Sequence, residues 1–200
     1  MTKRTLNINC DVGEGVGNEA EVFPLIDSCN IACGGHAGNI ETMRTCLSLA
    51  KQYKVLVGAH PSYPDREHFG RVAMDISERE LRESIQGQLA VLLTQCSVAG
   101  VALHHIKPHG ALYNEIAKDE KKAKAFLETI IKFKDEVFVY VPYQSVIEEL
   151  ALSQHFKVKR EAFGDRNYGS DGRLVSREQG NALITDPKQV MGHIALMHTK

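Results

Sequence analysis

The sequence predicts an α/β fold in which a parallel sheet is wrapped by helices, and three observations carry the prediction. Strand-like and helix-like stretches alternate six times along 200 residues. The strand candidates are near-continuous apolar runs, such as V-L-V-G-A at 55–59 and V-F-V-Y-V at 137–141, the pattern of strands buried on both faces. No two-residue hairpin turn joins them, so each return passes through a helix, as parallel connections require. A single domain spanning 1–200 is expected. Because a closed eight-unit barrel takes about 250 residues, a β/α barrel built from this chain is expected to be incomplete relative to eight units.

Residues 5–12 alternate up to Gly13 and read as a first strand that delivers Asp11, then Glu14, into the turn D-V-G-E-G-V-G. The Gly13, Gly15, Gly17 spacing is neither a Walker loop nor a dinucleotide fingerprint, and no Lys-Ser/Thr follows it. Residues 19–26 suit a short helix. Residues 28–33 form a compact apolar strand carrying Asn30 and running into G-G-H-A-G, where small residues let backbone approach whatever His36 touches. Helical spacing of Met43, Leu47, Leu49 and Ala50 marks 41–53, and the strand at 55–59 ends at His60.

The stretch 60–71, H-P-S-Y-P-D-R-E-H-F-G-R, is too rich in Pro, Gly and charge for regular structure and reads as a functional loop. Ser77 with Glu80 is a capping box, opening a helix to Ala99 with Leu81, Ile85, Leu89, Leu92 and Leu93 on one face and Gly100 as its stop. Leu103–Ile106 is the next strand, halted by Lys107-Pro108-His109-Gly110 before helical spacing resumes. A charged amphipathic helix over 118–134, a strand over 137–141, a helix begun by Pro142, Gln144 and Ser145, and a sixth strand over 157–163 complete the alternation. Pro187 suits the first turn of a closing helix that runs to Lys200.

Lys plus Arg number 24 against 25 Asp plus Glu, a formal charge of −1 that supplies no basic field for nucleic acid or an anionic membrane. A small molecule or another protein is the expected partner. The N-terminus meets Asn7, Asn9 and Asp11 before any signal core can form, and no run reaches the length of a membrane span, so a cytoplasmic protein is expected. Five scattered cysteines fit reduced, mostly buried thiols rather than a disulfide framework. Cys29 and Cys33 lack the second pair that a structural zinc site needs.

The chemistry-bearing residues share a placement. Asp11 and Glu14, His36, His60, Lys107 and His109, and Asp165 all fall just after strands. In a parallel sheet every strand C-terminus lies on one side, so His36, His60, His109, Asp11 and Glu14 are expected to converge in one cleft. Taken singly, each histidine is more often a satisfied structural residue than a ligand; coincidence at several strand ends changes that balance. Three imidazoles with two carboxylates suit general acid–base work or an open metal site. Lys107 is a candidate anion clamp or electrophile, with an ordinary ion pair to Asp11 or Glu14 as the plain and compatible alternative. His68, His104, His155 and His193 lack this placement and are read as structural, while the face of His105 stays open.

The stretches N-C-D-V-G-E-G, N-I-A-C-G-G-H-A-G, G-A-H-P-S-Y-P-D-R-E-H-F-G-R, K-P-H-G-A-L-Y-N and E-A-F-G-D-R-N-Y, the last followed five residues later by L-V-S-R, run in order to about Arg177. Together they resemble the LamB/YcsF family, which is associated with the A subunit of the bacterial 5-oxoprolinase. The resemblance implies a β/α barrel of the glycoside hydrolase/deacetylase type, with a C-terminal strand bearing His-Gly-Asp that is missing from this sequence. Asn39 stands where the family has Asp, and Gly164 where it has Ala, so no catalytic carboxylate is carried to position 39.

The resemblance also implies ATP-dependent opening of 5-oxo-L-proline to L-glutamate with two partner subunits, B and C, using ATP with Mg2+. On that reading Lys107 or Arg71 holds the substrate carboxylate, Asp11 or Glu14 positions or deprotonates water, and His60 or His109 protonates the leaving nitrogen. Asn30, His36 and Asp165, with Arg71, contact substrate. The rival expectations are a stand-alone deacetylase or amidase with a divalent metal on Asp11, His60 and His109, and a subunit that binds the lactam without catalysis.

Overall fold

A computed structural model describes residues 6–199, so Thr5 and Lys200, assigned above to the first strand and last helix, lie outside the described residues. Six strands form one sheet in consecutive order: β1 (Asn9–Val12), β2 (Ser28–Ala32), β3 (Leu56–His60), β4 (Leu103–Ile106), β5 (Phe138–Pro142) and β6 (Lys157–Glu161). Pairing is parallel from β1 through β5. Consecutive parallel order with a helix in each return is the winding of a β/α barrel, here with six strands rather than eight.

The described residues group into two compact units, one comprising 7–160 and the other containing the segment from Glu161 onward. In the first unit the connections are α1 (Glu19–Val22), α2 (Ile40–Tyr53), α3 (Glu78–Ala99), α4 (Gly110–Ile116), α5 (Glu120–Thr129) and α6 (Val146–Ser153). The apolar stripes read from the sequence face the sheet. Met43, Cys46, Leu47 and Ala50 of α2, and Leu81, Ile85, Leu89 and Leu92 of α3, are buried against Ile31, Val57, Ala59, Ile106 and Val139. Each Leu, Ile, Val or Met among them contributes about 2 kcal/mol of burial.

Both long helices start at full capping boxes. Ser77 serves α3, and Asn39, whose side chain accepts from the Thr42 N–H at 2.9 Å, serves α2. At an N-cap Asn and Asp are equivalent acceptors, so position 39 works locally without a charge.

Several boundaries differ from expectation. The first strand, expected from residue 5, starts only at Asn9, where pairing with β2 begins at Ser28. The helix expected over 19–26 stops at Val22 and tightens into a 3-10 turn at Phe23–Leu25, because Pro24 has no N–H to continue the α pattern. The helix expected over 118–134 starts at an Asp119 cap and ends at Thr129, followed by a 3-10 turn at Ile131–Phe133. The sixth strand ends at Glu161 rather than 163. Between β3 and β4 the register slips at Val57/Gly58: Val57 faces Leu103 but Gly58 faces His105, leaving His104 as the extra residue of a bulge.

In the second unit, isolated antiparallel bridges join Arg166 to Leu183 and Tyr168 to Leu174, and α7 spans Pro187–Thr199. The Arg166 guanidinium, buried, donates to the carbonyls of Val175 at 2.7 Å and Ala182 at 3.2 Å and ties the irregular chain together.

Candidate functional site

Register places Asp11 beside Asn30, Asn30 beside Gly58 and Gly58 beside His105, a single row across four strands. Asn30 and His105 are fully buried and Lys107 nearly so. Buried polar groups must satisfy one another, and here the partners fix every proton. The Asn30 amide nitrogen donates to Asp11 Oδ1 at 2.8 Å and to Asn9 Oδ1 at 2.6 Å. Lys107 Nζ donates to the same two oxygens at 3.0 and 3.2 Å. The Asn30 carbonyl oxygen therefore faces His105 Nε2 at 2.6 Å, so that nitrogen carries the ring proton. His105 Nδ1 is then an acceptor, supplied by His104 Nδ1 at 3.0 Å.

The His105 ring crosses β3 above Gly58, where a Cβ would lie 2.1 Å from its Nε2, and stacks on Tyr140 at 4.0 Å. Burial, with His104 and Lys107 nearby, lowers the His105 pKa to about 2. Burial would raise the Asp11 carboxyl, but His60 and Lys107 hold it well below the usual carboxylate range.

These shifts separate in pH. Between the folded and unfolded pKa of His105 the unfolded chain binds the additional proton, so stability falls as the pH drops below about 6.5, by about 1.4 kcal/mol per unit for this residue. Asp11, depressed in the folded state, contributes its loss only below about pH 4. Urea denaturation at pH 7.5 and 5.5 should show a drop that becomes shallower in His105→Gln; an equal drop in both proteins would refute the assignment.

One layer nearer the strand ends lies the imidazole cluster. His60 ends β3, and the ladder extends past β4 through Lys107 N–H to the Ala59 carbonyl and His109 N–H to the Pro61 carbonyl, both at 2.9 Å. His60 Nδ1 donates to the Lys107 carbonyl at 2.7 Å, and His109 Nε2 to the Phe69 carbonyl at 3.0 Å. His36 Nε2 meets Glu14 Oε1 at 2.8 Å, and its ring stacks on His109 at 3.7 Å. Phe69 packs edge-on against both rings. Gly70, at φ +63°, permits this approach, since a Cβ there would lie 2.9 Å from that of His36. Burial, with His60 and His36 beside it, lowers the His109 pKa to about 2; burial also lowers that of His36, against the pull of Glu14.

Asp11, Glu14, Asn30, His36, His60, Lys107 and His109 thus lie together, linked by the contacts above and by Asp11 Oδ2 to His60 Nε2 at 3.4 Å. Ligand atoms of Glu14, His36, His60 and His109 all lie within 4.8 Å of one another. Arg71 is exposed, with its guanidinium 4.7 Å from the centre of the Phe69 ring. Asp165 belongs to the second unit, exposed, where its carbonyl accepts from Ile184. Sequence reasoning missed Asn9, Gly58, Phe69 and the inward His105. The alternation of Asn9 with Asp11 was the available signal for the first; the bulge hid the last.

Together, the consecutive parallel strands and the buried cluster of imidazoles, carboxylates and one lysine at their C-terminal ends define a β/α-barrel-type protein with its polar centre where such folds keep their chemistry. The chain belongs to the LamB/YcsF family, whose profile matches residues 6–200. It is 39% identical over 197 residues to the 5-oxoprolinase A subunit of Haemophilus influenzae (strain PittEE), covering 98% of this chain and 80% of that one. It is 40% identical to the 5-oxoprolinase A subunit of Pyrococcus abyssi (strain GE5 / Orsay), covering 96% and 77%. Among solved structures, the lactam utilization protein from Thermus thermophilus superposes with a TM-score of 0.87 at 36% identity, covering 93% of this chain and 77% of that one.

Proposed function

We propose that this chain acts as the A subunit of an ATP-dependent 5-oxoprolinase, opening 5-oxo-L-proline to L-glutamate in the cytoplasm together with the B and C subunits. The observation that carries the reading is the pair of buried Lys107 and half-buried Asp11 set against His60 in a chain whose relatives bear that subunit's name. Five free cysteines, and no helix among the described residues long and apolar enough to cross a membrane, agree with the compartment.

The substrate is an unactivated lactam and a carboxylate, and both halves have partners. The cations Lys107 and Arg71 suit the carboxylate. Asp11, held ionised, suits accepting a proton from the attacking water. His60 and His109 both pin their N–H on backbone carbonyls, so the nitrogens they turn toward each other, 2.9 Å apart, need a positive charge between them. That charge suits the oxygen of the tetrahedral adduct.

An amide is a poor electrophile and its hydrolysis is driven by coupling: lactam plus water gives glutamate, while ATP plus water gives ADP and phosphate. The glycine-rich turn after β1 has no P-loop lysine, so no nucleotide step is assigned to this chain's residues, and ATP with Mg2+ enters through the assembly. Glutamate release from 5-oxoproline should require ATP and all three subunits. No release by the full assembly, or release by the isolated chain without ATP, would overturn the reading.

A further inference from the structure

We propose that Glu14, His60 and His109 bind one divalent transition-metal ion of the zinc class. The tautomers come first. A carbonyl oxygen only accepts, so His60 Nδ1 and His109 Nε2 must each carry their ring's proton toward Lys107 and Phe69. The remaining nitrogens, His60 Nε2 and His109 Nδ1, are bare lone pairs, buried and aimed at each other across 2.9 Å. Two lone pairs at that distance repel unless a cation lies between them.

The backbone carbonyls behind them are the partners that orient metal-bound histidines. The third atom fits as well. Glu14 Oε1 is 3.4 Å from His109 Nδ1 and 3.8 Å from His60 Nε2. A point equidistant from the three atoms lies about 2.0 Å from each, the length of a zinc–imidazole or zinc–carboxylate bond.

His36 is placed differently. Its Nε2 is spent on Glu14, and its Nδ1 is buried with no hydrogen-bond partner, so it lacks the backing the other two rings have. It positions the Glu14 carboxylate instead. Asp11 Oδ2 approaches His60 but not the other two ligands, and its other oxygen is committed to Lys107 and Asn30. Two imidazoles and one carboxylate favour a zinc-class ion over Mg2+ or Ca2+, and three protein ligands leave a position for water or a substrate oxygen.

The test uses the untagged full chain, stripped with a chelator and dialysed. Zn2+ titrated by calorimetry should bind one ion per chain, and Co2+ should give the visible d–d bands of a low-coordinate nitrogen–oxygen site. His60→Ala and His109→Ala should each weaken binding at least 100-fold, and the isosteric Glu14→Gln at least 10-fold, while exposed His68→Ala changes nothing. If the alanine variants fail to fold, Glu14→Gln carries the test. Substoichiometric uptake, or unchanged Zn2+ affinity in folded Glu14→Gln and His109→Ala, would overturn the proposal.

Discussion

Lys107→Met is expected to unfold the chain about 3 kcal/mol more easily and to abolish lactam opening by the assembly. The ammonium is nearly buried and donates to Asp11 Oδ1 at 3.0 Å. Removing one member of a buried pair strands the other charge, which costs about 3 to 5 kcal/mol. The lower end applies because the Asp11 side chain keeps 30% of its exposure. Methionine preserves the length of the stem, so packing alone changes little.

The control is the double variant Asp11→Asn/Lys107→Met. With no charge left to strand, it should recover a large part of the stability and none of the activity. Urea denaturation of the single and double variants reads both terms; a single variant as stable as the parent would contradict the pairing.

Gly58→Ala is the second large effect. The added methyl would sit 2.1 Å from His105 Nε2 and 2.4 Å from its neighbouring ring carbons. Neither can yield cheaply, because the ring is stacked on Tyr140 and tied to Asn30 and His104. Overpacking costs about 1 to 3 kcal/mol, and displacing the ring leaves the buried Asn30 carbonyl unsatisfied at about 1 to 3 kcal/mol more. Gly58→Ala/His105→Ala relieves the clash, so the two substitutions should be strongly non-additive. Additive losses in thermal unfolding would show that the ring does not occupy that space.

Much of this architecture is readable from the residues. Apolar strands, the capping box at Ser77, and Pro or Gly at the stops mark most of the alternation, because these signals act within a few residues of where they stand; the cap at Asn39 emerged only in the structure. The sequence also places Asp11, His60, Lys107 and His109 near one another, since a parallel sheet gathers its C-terminal strand ends on one side. The irregular chain after Glu161 was less legible. Its antiparallel bridges and the inward-turned Arg166 depend on pairings across up to seventeen residues without an apolar period to announce them.

What the sequence by itself determined is the winding of the sheet and the set of residues delivered to one side of it, because strand period and strand direction are local properties. The tertiary structure decided which of those residues touch and in which protonation form. The bulge at His104 turns His105 inward and across Gly58 to Asn30, and no periodicity announces a bulge. The loop carrying Phe69 and Gly70 offers His109 a carbonyl and thereby fixes its bare nitrogen toward His60. Such contacts join residues 40 or more positions apart, so their geometry exists only once the strands are paired.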